Sequence, residues 1–280
     1  MHLNRKKIKQ SKLRISPRGG KKKKIATASK RKNTIRPVKK SKRKDRKLKI
    51  KSVAGSNIVD IKKFGDKSLY RPISKWKNTL EGQTIFILGN APSLEKQNLK
   101  ILKPYFTIGV NRIFYIFDPT ILIWQDIQIW NGEKKRLVTG KSLKICNAMS
   151  DPRKVFLNFK VKNGNFKFGN DPSVLHGTGN TTALAVQLAI NLGCSNIVLL
   201  GTDCKYNSGK TDFYGNNKDH KSYTLKMCDT AMRWMKDNSP VPIYNCSRNK
   251  LWPRENLVDV INKLEPEKHN RKKYIRMFKI

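Results

Sequence analysis

From residue 84 onward, apolar residues fall into short continuous runs broken by polar turns. Ile85-Phe-Ile-Leu88 is the first, a run that suits a strand covered on both faces in a parallel sheet better than a strand with one wet face. Gly89 and Asn90 then allow tight or left-handed backbone. Pro92 suits a first helical turn, with Ser93 close behind. The stretch Thr84–Leu94 therefore predicts strand, turn and helix, with free N–H groups and a helix dipole able to face an anion. An ordinary strand-to-helix turn would use the same residues, since Gly-Asn-Ala-Pro-Ser is not a long phosphate fingerprint.

The pattern repeats down the chain. Leu94–Leu102 predicts a short amphipathic helix stopped by Pro104, and Tyr105–Val110 a second strand with Asn111 and Arg112 at its end. Ile121–Trp124 predicts a third strand, ending at Gln125-Asp126. Polar residues thus recur just past successive strands, where open α/β sheets bind ligands. Between Leu143 and Phe168 the pattern turns irregular and reads as peripheral strand and loop. His176-Gly-Thr-Gly-Asn-Thr-Thr182 then opens a helix, Ala183–Leu192, that is apolar nearly all round and belongs in the interior. Asn196–Asp203 reads as another buried parallel strand. Cys204–Lys218 is polar and Gly/Asn-rich, a substrate loop by composition, with His220 just beyond it. A helix from about Tyr223 to Met235, a strand at Val241–Asn245 placed at an edge by Pro242, and a helix over Glu255–Leu264 complete the series. Strands alternating with helices predict one doubly wound, mostly parallel α/β domain with helices on both faces.

Charge changes the picture at the N-terminus. The 280 residues carry a formal net charge of +42, and residues 1–50 alone hold 23 Lys or Arg against one acidic residue, Asp45. Such a segment buries too little apolar area to offset ordering entropy. The organisation read from the sequence is a disordered Lys/Arg-rich arm at 1–53, a lead-in segment at 54–83, the domain at 84–266 and a basic tail at 267–280. The arm suits nucleic acid or another polyanion, bound through neutralised phosphates; localisation signals and solubilising tails have the same composition.

The five cysteines, Cys146, Cys194, Cys204, Cys228 and Cys246, include no C-x-x-C pair and no His at finger-like spacing. They read as scattered reduced thiols, against both a disulfide scaffold and a structural zinc. No apolar run approaches the roughly 18 to 20 residues that span a bilayer, and no apolar segment follows the N-terminal charge as in a secretory signal. A cytoplasmic protein is the expectation.

Taken in order, Ile87-Leu-Gly-Asn-Ala-Pro-Ser-Leu94, Gly109-Val-Asn111, Thr178-Gly-Asn-Thr-Thr182 with the helix to Gly193, and Ile197-Val-Leu-Leu-Gly-Thr-Asp203 resemble one superfamily. Its members are bacterial sialyltransferases of the Campylobacter lipooligosaccharide type, the motility accessory factor flagellin glycosyltransferases and the archaeal 6-hydroxymethylpterin pyrophosphokinases. The resemblance covers about Thr84–Tyr244. It implies a Rossmann-like fold that binds a nucleotide or nucleotide sugar, with Gly89, Asn90 and Ser93 by the nucleotide or phosphate and Asn111 with Arg112 by its sugar. Thr181 and Thr182 fall where the sialyltransferases have Ser-Gly at a helix start. His220 matches their general base in position, and Tyr214 falls near tyrosines that assist the departing phosphate. Ala91 departs from the pattern, replacing the usual second Gly.

The chemistry expected is transfer of a sugar from a nucleotide-activated, CMP-sugar-like donor to an unknown acceptor, which needs donors around the leaving phosphate and a base near neutral pKa. His220 would be that base and His176 its competitor. No cofactor is required. A second expectation is a diphosphate-transferring kinase, with Asp126 and Asp203 holding Mg2+ on a diphosphate; hydrogen-bonding to backbone at strand ends is their other role. A third is a non-catalytic, polyanion-binding accessory protein.

Overall fold

The computed structural model describes residues 73–278, apart from 152–155, 178, 206–208, 217–221 and 269–270. The arm, most of the lead-in segment and His220 lie outside these residues. Eight strands form one sheet: β1 (Thr84–Leu88), β2 (Thr107–Val110), β3 (Ile121–Trp124), β4 (Leu143–Asn147), β5 (Leu157–Lys162), β6 (Val174–His176), β7 (Asn196–Leu200) and β8 (Ile243–Asn245). Their order across the sheet is β6-β5-β4-β3-β2-β1-β7-β8, and every neighbouring pair is parallel. The chain steps outward from β1 through β6, then crosses back to place β7 on the other side of β1. The C-terminal ends of β1 and β7 therefore flank the topological switch point, where ligands bind in such sheets.

All five residues of β1 are buried because both faces are covered. Ile85 and Ile87 join a cluster with α2 (Thr181–Asn191) and α3 (Ser222–Asn238); Phe86 and Leu88 join the opposite cluster, with Ile129, Trp130 and Leu137 of α1 (Ile127–Thr139) and Val260 of α4 (Leu257–Leu264). Each large apolar side chain so buried contributes about 1.5 to 3 kcal/mol. Ten of the eleven residues of α2 are buried, in agreement with its all-round apolar sequence.

Several expectations are corrected. Leu94–Leu102 forms no α-helix: two 3-10 turns, Pro92–Lys96 and Leu99–Leu102, follow β1. The irregular stretch Leu143–Phe168 supplies β4 and β5, which sit inside the sheet; the edge strand β6, which ends at His176, was not anticipated. Phe166 and Phe168, at the end of that stretch, pack on Trp234 of α3. Helix α1 was not anticipated. Within the expected basic tail, α5 (Arg271–Met277) returns to the domain, with Tyr274 edge-on to Phe106 at 4.9 Å and Phe278 against Trp76. The apolar residues every three to four positions in that tail were masked by its lysines. Among the described residues no helix is long and apolar enough to cross a membrane.

Candidate functional site

A cleft of about 540 Å³ opens at the C-terminal edge of the sheet over the switch point. Asn90, Asn111, Arg112, Gln125, Asp126, Thr181, Thr182, Asp203 and Tyr214 all line it, so polar residues following β1, β2, β3 and β7 converge with the start of α2. Gly89 and Ser93 are not among its lining residues. A Cβ on Gly89 would collide with the Gly201 carbonyl, so glycine there lets the β1 and β7 turns touch. The Ala91 N–H then donates to the same Gly201 carbonyl at 2.9 Å.

The turn after β1 is held from two sides. Asn90, 8% exposed, donates its side-chain N–H to the Val110 carbonyl at 3.0 Å, while its own carbonyl oxygen is buried without a protein partner. Asn111 follows β2 in left-handed backbone at φ 51°, a conformation Asn tolerates, and its buried side-chain oxygen also has no protein partner. At the expected anion site, Pro92-Ser93, the Ser93 side-chain oxygen is buried without a protein partner. The Ser93 N–H donates to Asp203 Oδ2 at 3.3 Å, and no α-helix begins there.

Asp203, 2% exposed, lines the cleft and hydrogen-bonds backbone on both oxygens. Its Oδ1 accepts the Arg248 N–H at 2.9 Å, so one carboxylate ties the β1 turn, the β7 end and the loop after β8 together. The helix start facing the cleft is that of α2. Asn180 caps it, its Oδ1 accepting from the Thr182 N–H at 2.9 Å and the Ala183 N–H at 3.3 Å, and Gln125 donates to Thr181 Oγ1 at 3.1 Å.

Arg112 enters the cleft held at 3.2 Å by Glu133, which sits at a non-helical kink in α1 and also accepts from Tyr115. The guanidinium lies 5.7 Å from the centre of the Tyr214 ring. Burial pushes the Tyr214 phenol up to about 12, with Asp212 adding to the effect and Arg112 opposing it, so Tyr214 is a proton donor throughout the neutral range. The segment carrying Tyr214 docks through the Phe213 N–H on the Asn90 backbone carbonyl at 2.7 Å and through Lys210 on Glu95 at 3.2 Å.

Not every candidate arrives. His176 lies on β6 beside Lys162, Lys167 and Asp171, outside the cleft lining. His220 falls outside the described residues. Asp212, Thr211, Lys205 and Tyr223 line the cleft unanticipated; they come from the loop and helix whose polar composition signalled a substrate loop without marking residues. The lining, among the described residues, holds Arg112 and Lys205 against Asp126, Asp203 and Asp212. Among the described residues no group of three or more His, Cys, Asp or Glu forms a metal site. The expectation of reduced thiols is corrected at one pair: Cys204 and Cys228 form a disulfide, their Cα atoms 5.5 Å apart. With neither a short motif nor adjacency to mark it, that pairing depends on β7 and α3 meeting in space.

Fold and cleft define a Rossmann-like α/β protein with a polar site at the switch point of a parallel sheet. The profile of the 6-hydroxymethylpterin diphosphokinase MptE-like family matches residues 57–209, more than half of the chain, and the chain belongs to that family. This is a branch of the superfamily its motifs resemble. No curated protein matches by sequence. Among solved structures, the Campylobacter jejuni sialyltransferase CstII in complex with cytidine-5'-monophosphate is 12% identical, with a TM-score of 0.40 over 60% of this chain and 82% of that one. The MAf glycosyltransferase from Magnetospirillum magneticum AMB-1 is 12% identical, with a TM-score of 0.42 over 75% of this chain and 43% of that one. The apo alpha-2,3-sialyltransferase from Campylobacter jejuni is 17% identical, with a TM-score of 0.34 over 59% and 75%.

Proposed function

We propose that the cleft binds a nucleotide-activated, CMP-sugar-like donor and passes its sugar to an acceptor hydroxyl. The observation that carries this reading is the pair of buried, unpartnered oxygens on Asn90 and Asn111 beside the Arg112 guanidinium and the Tyr214 phenol. The two amide oxygens call for ligand donors such as sugar hydroxyls or a base amino group; the cation and the phenol call for phosphate oxygens. As the donor's sugar–phosphate bond breaks, negative charge grows on the leaving phosphate. Arg112 and the protonated Tyr214 would stabilise it. His220 is the proposed base for the acceptor, and His220→Ala should lower turnover about 10²- to 10⁴-fold while leaving nucleotide affinity within about threefold.

Family membership favours a second reading, diphosphate transfer from ATP with Mg2+. Asp126, Asp203 and Asp212 are the carboxylates of the cleft lining on which it would draw; Asp203 accepts two backbone N–H groups and Asp212 the Thr211 hydroxyl. One or two carboxylates together with substrate phosphates satisfy Mg2+, whose part would be to neutralise the phosphate charge. Thermal unfolding of the protein with CMP, UDP, GDP and ATP, each with and without Mg2+, separates the two. Stabilisation by CMP without metal supports sugar transfer; stabilisation by ATP only with Mg2+ supports diphosphate transfer; no shift with any nucleotide contradicts both.

A further inference from the structure

We propose that Cys204 and Cys228 form a reversible thiol–disulfide site, exchanging with small-molecule or protein thiols, whose state sets the order of the cleft wall. Cys204 follows Asp203 beyond β7 and Cys228 lies in α3, and both line the cleft. Their Cα separation of 5.5 Å falls at the usual disulfide distance. Both are half-buried, so a reagent can reach them. The other three cysteines are buried, and burial pushes the Cys194 and Cys246 thiols up to about 12 and that of Cys146 higher still. Exchange needs a thiolate and access, which leaves Cys204 and Cys228 as its place in the described chain.

Two contacts connect this bond to the site. The Asn180 side-chain amide donates to the Cys228 carbonyl at 3.3 Å and to its Sγ at 3.2 Å, while the same side chain caps α2 at Thr182 and Ala183. The sulfur therefore helps hold the residue that orients Thr181 and Thr182. Cys204 adopts left-handed backbone at φ 53°, unfavourable for a residue with a side chain, at one end of the cross-link. The bond joins positions 24 apart in sequence, a ring that includes residues 209–216 and so carries Asp212 and Tyr214.

Reduction proceeds by attack of an external thiolate on one sulfur, giving a mixed disulfide and releasing the other cysteine as thiolate. A second external thiol resolves the mixed disulfide. Two reagent thiols become one disulfide, and two electrons and two protons pass to the protein thiols. Oxidation by a small-molecule disulfide is the reverse. Opening the ring frees the Cys204 backbone and loosens the Asn180 cap, so the wall must be ordered anew when a ligand binds.

The binding readout rests on the nucleotide reading of the cleft; the thiol readouts do not. The full chain is equilibrated in oxidised or reduced glutathione. Maleimide labelling, amide hydrogen exchange and CMP affinity are then measured in each state. Cys204 and Cys228 should be protected in the oxidised protein and labelled in the reduced one. On reduction, exchange at Thr182 and Ala183 should quicken about tenfold and CMP should bind about five- to tenfold more weakly. The double variant Cys204→Ser/Cys228→Ser should behave as the reduced protein in both buffers. Labelling of both cysteines in the oxidised buffer, or equal exchange in the two states, overturns the proposal. If labelling and exchange change as expected while CMP binds in neither state, the redox site stands and the nucleotide reading fails.

Discussion

Asn90 donates its side-chain N–H to the Val110 carbonyl at 3.0 Å, joining the turn after β1 to the last residue of β2. That bond sets the direction of the amide and leaves its carbonyl oxygen buried without a protein partner. An unpaired buried acceptor costs about 1 to 3 kcal/mol, which a ligand donor in the cleft would relieve.

Asn90→Ala removes both roles. Unfolding in urea should show a stability change within about 1 kcal/mol, the lost Val110 bond being offset by removal of the unpaired oxygen, while CMP affinity should fall about tenfold or more. A variant that loses stability and keeps its affinity would make Asn90 a purely structural residue.

Asp203→Asn tests the carboxylate as a tie. An amide has one carbonyl oxygen, so either the Ser93 or the Arg248 N–H would face an NH2 group. Stability should fall by about 1 to 3 kcal/mol in a denaturant titration. Unchanged stability with lost nucleotide binding would instead put Asp203 among the ligand groups.

Lys144 is buried in β4, its amine donating to the Gly140 carbonyl, and burial lowers its pKa from 10.5 to about 8, with Asp118 opposing and Arg271 adding to the shift. Between these two pH values the unfolded chain holds a proton that the folded chain lacks, so Lys144 adds stability as pH rises through the window, and its penalty is complete below about 8. The difference in unfolding free energy between Lys144→Met and the wild-type protein should favour the variant by about 3 kcal/mol at pH 7 and close as pH rises to about 10.5. A difference independent of pH would show that Lys144 does not titrate in this range.

How much of this the sequence shows depends on whether the signal is local. The apolar runs of β1, β3 and β7 and the all-apolar α2 stand out because burial on both faces leaves a continuous stretch of one kind of residue. Asn90, Asn111, Thr181 and Asp203 were legible together because each ends a strand or opens a helix on one edge of the sheet. Lys144 breaks the pattern of β4 with a charge, which is met by Asp118 from the turn before β3 and by the Gly140 carbonyl four residues earlier. The Pro92 turn misled because Pro and Ser serve a 3-10 turn as readily as an α-helix, and Asp203, 110 residues away, claims the N–H that would have faced an anion.

Residues 1–53 lie outside the described structure save through their charge. As a polyanion-binding arm they should give the full chain a steep fall in nucleic-acid affinity with rising salt, and deleting them should flatten that slope, which follows the number of phosphates neutralised. An equal slope in filter-binding or fluorescence titrations of the truncated chain would remove the arm from the contact.

The central claim is that the cleft reads a nucleotide phosphate through Arg112. Calorimetric titration of CMP and of cytidine into the wild-type protein and into Arg112→Gln tests it, because the ratio of the two affinities cancels general damage to the site. A charge-assisted phosphate contact of about 1.5 to 3 kcal/mol should make CMP bind about 10- to 100-fold more tightly than cytidine in the wild type, and the variant should bring that ratio to about 1 to 3. Equal affinities in the wild-type protein, or a ratio that the substitution leaves untouched, would contradict it.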